Sequence, residues 1–200
     1  MRPRLVLAAI LVSVSVSAAS AYPVYYKEQY YKLFHQHYAA SPDDIIENIY
    51  WLEEAKKADF CNPLYALAKI EDKTHWERYR YLLDMHLDLK LIEQHLALGA
   101  QFDKRVAYFY NAPWRDQNLE SLKTAEAAYT SALGYWTEAK DLAKKAMNMR
   151  WVVLDDAEYW VGEAYRIDSG ELDYAAIVGK QLDRLRKVRS DFQKMDGSTY

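Results

Sequence analysis

Three glycine-containing segments recur along the C-terminal half of this chain at nearly constant spacing. In residues 98–104, 133–139 and 169–175, a glycine is followed within a few positions by an aromatic residue or leucine and then by an acidic residue. The glycines, which lie 35 and 36 residues apart, are Gly99, Gly134 and Gly170. A period of this length in helix-forming sequence is typical of stacked helix–turn–helix units. Because glycine tolerates positive φ after a helix end, we predict that each one marks a turn.

The composition favours a single helical domain. Hydrophobic residues make up 51% of the 200 residues, which is enough to bury a core, and only six Gly and five Pro interrupt them. The chain also contains 18 Tyr and six Trp, which either pack in the core or form a protein interface. The net charge of −3 comes from interleaved acidic and basic residues, so we expect no nucleic-acid partner.

The first 21 residues have the pattern of a secretory signal peptide. Arg2 and Arg4 precede an apolar stretch, and residues 19–21 (Ala-Ser-Ala) form a small-residue cleavage site. The alternative is that this segment is retained as an anchor, although its apolar stretch is short for a bilayer span. We predict a cleaved signal peptide over residues 1–21, a helical-repeat domain over 22–195 and a frayed tail over 196–200. Cys61 is the one cysteine, so the exported chain has no pair to form an internal disulfide. This favours the periplasm as its location.

Hydrophobic periodicity predicts the helices of the mature chain. The predicted helices cover residues 42–57, 75–98 and 172–195, with others over 24–38 and from Leu64. Two interpretations remain for the region around Gly134. Its neighbours match those of the other two glycines, which favours a turn there. The apolar stripe nevertheless continues past it, and an interior glycine costs a helix only about 1 kcal/mol, so one helix over residues 118–167 is the alternative.

We find no catalytic or metal-binding pattern in the sequence. His35 and His37 are two residues apart, so on one helix they point in diverging directions. His75 and His86 share a face but lie about 16 Å apart along a helix. The sequence has no Gly-x-Ser-x-Gly motif and no phosphate-binding loop. We therefore predict a non-enzymatic protein with no cofactor and no metal.

An aromatic stretch over residues 107–114 is the best candidate for a recognition surface. Aromatic side chains on loops held by rigid helices are frequent binding hot spots. The alternative is that these side chains seal a gap between two helical pairs. The residues that we predict to bind a partner are Tyr108, Tyr110, Trp114, Tyr129 and Trp136.

Two segments resemble tetratricopeptide repeats. The run Leu133-Gly134-x-Trp136-x-x-Ala139, continued by Ala143 and Ala146, resembles the second half of such a repeat. The run from Ala55 through Ala58 to Asn62-Pro63 resembles the join between one repeat and the next. With the glycine segments, the likeness covers residues 42–185. It implies a stack of helical hairpins in which small residues let paired helices approach.

The export signal, the tyrosine-rich helices and these turns together also resemble spirochaete periplasmic proteins of this type, including those of the flagellar-motor collar. That resemblance implies a scaffold role in the periplasm.

We therefore predict an all-α fold of about seven or eight helices, paired as antiparallel hairpins and stacked as a short superhelix similar to tetratricopeptide repeats. Arrays of this kind bind a peptide or a partner helix in a concave groove. The predicted function is a periplasmic scaffold or adaptor for other proteins. The alternative is a helical carrier of a small ligand in a solute-uptake system.

Overall fold

A computed structural model describes residues 23–104 and 111–199, and these residues confirm the all-α fold. The predicted signal peptide lies outside the described residues. The α-helices are α1 (Lys27–Ala40), α2 (Ile45–Lys57), α3 (Lys73–Phe102), α4 (Arg115–Met147), α5 (Glu158–Asp168) and α6 (Tyr174–Gln193). Single 3-10 turns occupy Pro63–Tyr65, Ala112–Trp114 and Asp155–Ala157. The described residues thus form six α-helices where seven or eight were predicted for the chain, since the helix expected from Leu64 is only a 3-10 turn and the break expected at Gly134 is absent. No helix of the described segments is long and apolar enough to cross a bilayer.

The long hairpin of α3 and α4 forms the centre of the molecule. Its two helices run antiparallel: the ring of Tyr135 stacks on His95 near one end, and Lys145 lies over the ring of Tyr81 near the other. Helix α3 also contacts α2 and α5, and α4 contacts α5 and α6. Because α3 is covered on several sides, apolar side chains are buried all around it, as expected for a central helix. Its buried apolar residues are Tyr79, Leu82, Leu83, Met85, Leu87, Leu89, Leu91 and Ile92.

Small residues of α4 let the two long helices approach closely. Five alanines on its buried face are completely buried, and the distance between packed helices depends on the side chains at the contact. They are Ala125, Ala132, Ala139, Ala143 and Ala146.

Gly134 lies within α4, so the prediction of a turn there is wrong and the long-helix alternative holds at this position. The buried stripe continues on both sides of it through Tyr129 and Trp136. Packing of this stripe against α3 outweighs the cost of about 1 kcal/mol that glycine imposes on a helix interior. The helix nevertheless ends at Met147, well before the predicted residue 167.

Gly99 also lies inside a helix rather than at a turn, because α3 continues to Phe102. A Cβ atom at Gly99 would overlap the ring of Tyr129, so this glycine permits close approach of α4. Gly170 does mark a turn, as predicted: it follows the end of α5 and has φ of 77°.

The other boundaries differ from prediction by local chemistry. The helix predicted from Leu64 is only the 3-10 turn Pro63–Tyr65. Helix α2 begins at Ile45 rather than at the predicted residue 42, because Asp44 caps it by accepting a hydrogen bond from the backbone N–H of Glu47. At the C-terminus, the backbone N–H of Ala112 donates to the carbonyl of Thr199 across 3.2 Å, so the end of the described chain contacts the start of α4.

Buried polar contacts hold the α1–α2 hairpin against α3. The ammonium of Lys56 lies 2.6 Å from a carboxylate oxygen of the fully buried Asp88 and 3.1 Å from Glu138 on α4. Glu28 accepts hydrogen bonds from the backbone N–H of Cys61 and from the Tyr79 hydroxyl. Burial raises the pKa of the Cys61 thiol to about 12, so this cysteine behaves as a small buried side chain.

The contrast between Gly99 and Gly134 is testable. We expect G99A to lower the free energy of unfolding by about 1–3 kcal/mol, because the new methyl group overlaps a buried ring. G134A should raise it by up to about 1 kcal/mol, since a Cβ there meets open space and alanine favours helix. Urea unfolding followed by circular dichroism measures both. Equal effects of the two substitutions would contradict the close approach at Gly99.

Asp88 should make stability depend on pH through Lys56. Burial raises the pKa of Asp88 to about 7, far above that of an unfolded aspartate. The folded state therefore binds the carboxyl proton of Asp88 more tightly than the unfolded state does. As a result, the free energy of unfolding falls as pH rises from 4 to 7. K56M removes the compensating charge. We expect it to cost about 2 kcal/mol or more at pH 8, and less than half of that at pH 5, where Asp88 is protonated.

Urea unfolding at the two pH values measures this difference. K57M is the matched control, because Lys57 is exposed and pairs with Glu54 on the surface; it should leave stability unchanged at both values. A pH-independent loss in K56M would show that Asp88 does not titrate in this range.

Candidate functional site

A groove beside α5 is the candidate functional site. It is a cavity of about 640 Å³ between the start of α3, the end of α4, the 148–157 loop and one face of α5. The apolar lining residues are Met147, Val153, Leu154, Val161 and Tyr165, and the charged ones are Arg78, Arg150, Asp155 and Glu158. Gly162 also lines it, and a Cβ atom at Gly162 would meet open space. An apolar cavity with a few charged groups is typical of a binding site.

The 148–157 loop is held in place from two sides. The backbone N–H of Lys69 donates to the carboxylate of Asp156 across 2.9 Å, and the Arg78 guanidinium donates to the carbonyl of Val152. The loop nevertheless presents large apolar side chains to solvent: Trp151 is 71% exposed and Val153 66%. Apolar residues kept exposed on an anchored loop are a feature of interaction surfaces.

Arg78 is a buried cation without a matching anion. Only 2% of this residue is exposed, and its Nε has no hydrogen-bond partner in the part of the chain that the structure describes. Burial lowers the pKa of the guanidinium, and no ion pair to Arg78 forms among the described residues. Burying a guanidinium without a counter-charge is costly, and arginine binds carboxylates in a two-pronged geometry. Arg78 is therefore the candidate contact for an anionic group in the wall of the groove.

The three predicted partner-binding residues that the structure describes do not share an exposed surface. Tyr129 and Trp136 are 1% and 3% exposed and belong to the core, which corrects their assignment to a binding surface. Trp114 is 39% exposed at the start of α4. Tyr108 and Tyr110 lie outside the described residues.

A second polar cluster joins α1, α3 and α5. His86 Nδ1 lies 2.6 Å from a Glu163 carboxylate oxygen, and His86 Nε2 lies 2.8 Å from the Tyr31 hydroxyl. The Trp160 ring packs edge-on against the ring of Tyr31, and burial raises the pKa of the Tyr31 hydroxyl well above its usual value. Both ring nitrogens of His86 are thus engaged and all members are buried. This arrangement ties three helices together and leaves no nitrogen of His86 free for a substrate.

The comparisons with known proteins bear on the region that contains the groove. A family model described as a domain of unknown function, DUF8513, matches residues 74–195, more than half of the chain. The chain belongs to the DUF8513 family. The searches of curated proteins and of solved structures find no match.

The DUF8513 region comprises nearly all of α3 and the whole of α4, α5 and α6, and every residue that lines the groove, from Arg78 to Tyr165, lies within it. Helices α1 and α2 precede it. The sequence did not predict this groove, because its helical pattern after Gly134 extends to residue 167 and includes the 148–157 loop. The run of four apolar residues from Trp151 to Leu154 was the available signal, since such a run in a loop is unusual.

The lack of a counter-charge at Arg78 predicts a small effect of its removal on stability. We expect R78M to change the free energy of unfolding by less than about 1 kcal/mol, because relief of the buried charge offsets the lost bond to Val152. R184M is the control: Arg184 pairs with the buried Asp103, and its loss should cost about 3 kcal/mol. Urea unfolding of both variants measures this. A loss in R78M as large as that in R184M would mean that Arg78 serves the fold.

Proposed function

We propose that this chain is a non-enzymatic adaptor of the periplasm that holds a segment of another protein in the groove beside α5. The observation that carries the proposal is the pairing of an apolar cavity with Arg78, a buried guanidinium without a counter-charge in the described chain. Exposed aromatic side chains flank the same face, with Tyr165 59% exposed on α5 and Trp151 71% exposed on the loop. Tyr, Trp and Arg are the residues most enriched at interface hot spots.

The chemistry of the groove specifies the partner segment. Charge complementarity at Arg78 calls for a carboxylate, and the apolar lining calls for an aliphatic or aromatic side chain beside it. Asp155 and Glu158 also line the groove, so a segment with one anchoring carboxylate fits better than a strongly acidic one. The partner side chain and its carboxylate are the two features that the groove would select.

The proposed architecture is a short array of helical hairpins similar to tetratricopeptide repeats. The α1–α2 and α3–α4 pairs are its successive hairpins, and α5 and α6 pack against the last of them. The proposed location rests on the signal-peptide pattern of residues 1–21. The resemblance to spirochaete motor proteins makes the periplasmic flagellar collar the assembly in which we propose that this adaptor works.

A small-ligand carrier is the second candidate function. The observation in its favour is the cavity volume of about 640 Å³, which is in the range of small-molecule sites. A carboxylic acid with an apolar body would meet the same groups as the partner segment. The two functions predict different bound molecules after purification of the protein from its own host: another protein for the adaptor and a small acid for the carrier.

G162L tests the groove without disturbing the core. A side chain at Gly162 fills the cavity from α5, meets no other atom near its Cβ and increases helix propensity. G179L on α6 is the matched control, because its Cβ also meets open space and Gly179 does not line the groove. Each protein is immobilised, exposed to periplasmic extract of the host and washed, and retained proteins are quantified by mass spectrometry.

We expect at least one protein to be retained by the wild type and by G179L and lost from G162L. An identical set on all three proteins would overturn the proposed site. Native mass spectrometry of the wild type from its host separates the second candidate: a bound small acid that G162L lacks would favour the carrier over the adaptor.

A further inference from the structure

A second site lies at the turn between α1 and α2, far in sequence from the groove and independent of the proposed function. Three metal-ligating side chains meet there: His37 in the last turn of α1, Asp44 at the cap of α2 and Glu47 in its first turn. One ligand atom from each lies within 4.8 Å of the other two. His37 Nε2 is 3.9 Å from an Asp44 oxygen and 3.8 Å from a Glu47 oxygen. These separations exceed hydrogen-bond length, so the three groups converge without bonding to one another.

The orientation of His37 is determined by a buried asparagine. The Asn48 amide nitrogen donates to the carbonyls of Ser41 and Pro42 across 3.4 and 3.3 Å, so its oxygen must face His37. That oxygen lies 3.0 Å from His37 Nδ1, which therefore carries the hydrogen. Nε2 is then the ring nitrogen that faces the two carboxylates. A metal-binding histidine usually has this arrangement, with its other nitrogen donating to a protein oxygen.

In each of the two carboxylates, one oxygen accepts a hydrogen bond and the other faces His37. One oxygen of Asp44 accepts from the backbone N–H of Glu47, and one oxygen of Glu47 accepts from the Trp51 indole across 3.2 Å. The other oxygen of each is the one that approaches Nε2 of His37. Two carboxylate oxygens therefore lie close together beside Nε2, and a cation placed among the three atoms offsets their repulsion.

The dimensions suit a transition metal. Three atoms at these separations share a point about 2.1–2.5 Å from each of them, and zinc ligands lie at about 2.0–2.2 Å, so shifts of a few tenths of an ångström close the site. A nitrogen ligand beside two carboxylates favours Zn²⁺ over Ca²⁺ or Mg²⁺, which prefer oxygen ligands alone.

We propose that His37, Asp44 and Glu47 bind one divalent transition-metal ion of the Zn²⁺ class. Three protein ligands leave at least one coordination position for water or for a ligand from a partner. Asp44 and Glu47 are exposed, so that position is open to solvent. Because the ligands come from both helices, the ion also links the end of α1 to the start of α2. A proton on Nε2 is the competing occupant of the same space.

Calorimetric titration of the full chain with Zn²⁺, in buffer free of chelators, tests the proposal. We expect saturable binding of one ion, with Ca²⁺ and Mg²⁺ producing no comparable signal. H37A, and D44N combined with E47Q, should each weaken Zn²⁺ binding by at least about 30-fold. Asparagine also caps helices, and glutamine keeps an oxygen for Trp51, so the double variant retains its local structure. Thermal unfolding without metal checks that both variants fold.

Two controls separate this site from general surface binding. H35A removes a neighbouring exposed histidine, and D43N with E54Q removes two nearby acids with the same change in charge. Both should keep Zn²⁺ affinity within about 3-fold of the wild type. The proposal is overturned if the wild type shows no saturable binding, if D44N with E47Q binds as tightly as the wild type, or if H35A loses as much as H37A.

Discussion

The close approach of α3 and α4 is the constraint on which the rest of the structure depends. It requires both Gly99, where any side chain would meet the ring of Tyr129, and the row of alanines on α4. With α4 this near, α3 becomes the centre of the core and must be apolar on nearly every side. The remaining helices then pack around the pair, α2 against α3, α6 against α4, and α5 against both.

The helical core also contains ionisable groups, and they pair where helices from different parts of the chain meet. Lys56 with Asp88 joins α2 to α3, Arg184 with Asp103 joins α6 to the end of α3, and His86 with Glu163 joins α3 to α5. Removing one member of such a pair is costly, so each pair favours one arrangement of helices. Arg78 differs from these because no described carboxylate accompanies it. That difference is the reason why we propose a role in binding for Arg78, besides its bond to the 148–157 loop.

The sequence predicted neither of the two proposed sites, and the physical reason differs between them. The groove depends on a loop whose apolar residues looked like the continuation of a helix, because periodicity reports local spacing and not which faces are covered. The cluster of His37, Asp44 and Glu47 crosses a turn. Rules for ligand spacing along one helix therefore do not detect it, and only the packing of α1 on α2 brings the three side chains together.

The sequence by itself determined that the chain is helical, that residues 75–98 lie in one long apolar helix, and that Gly170 ends another. These features follow from interactions between residues three or four positions apart, or from one backbone angle. Only the tertiary structure decided that Gly99 lies against the ring of Tyr129 and that Gly134 lies inside a helix. It also decided that Tyr129 is buried in the core while Trp151 is exposed on the surface. Burial of a residue depends on which distant helix covers its face, and no local pattern contains that information.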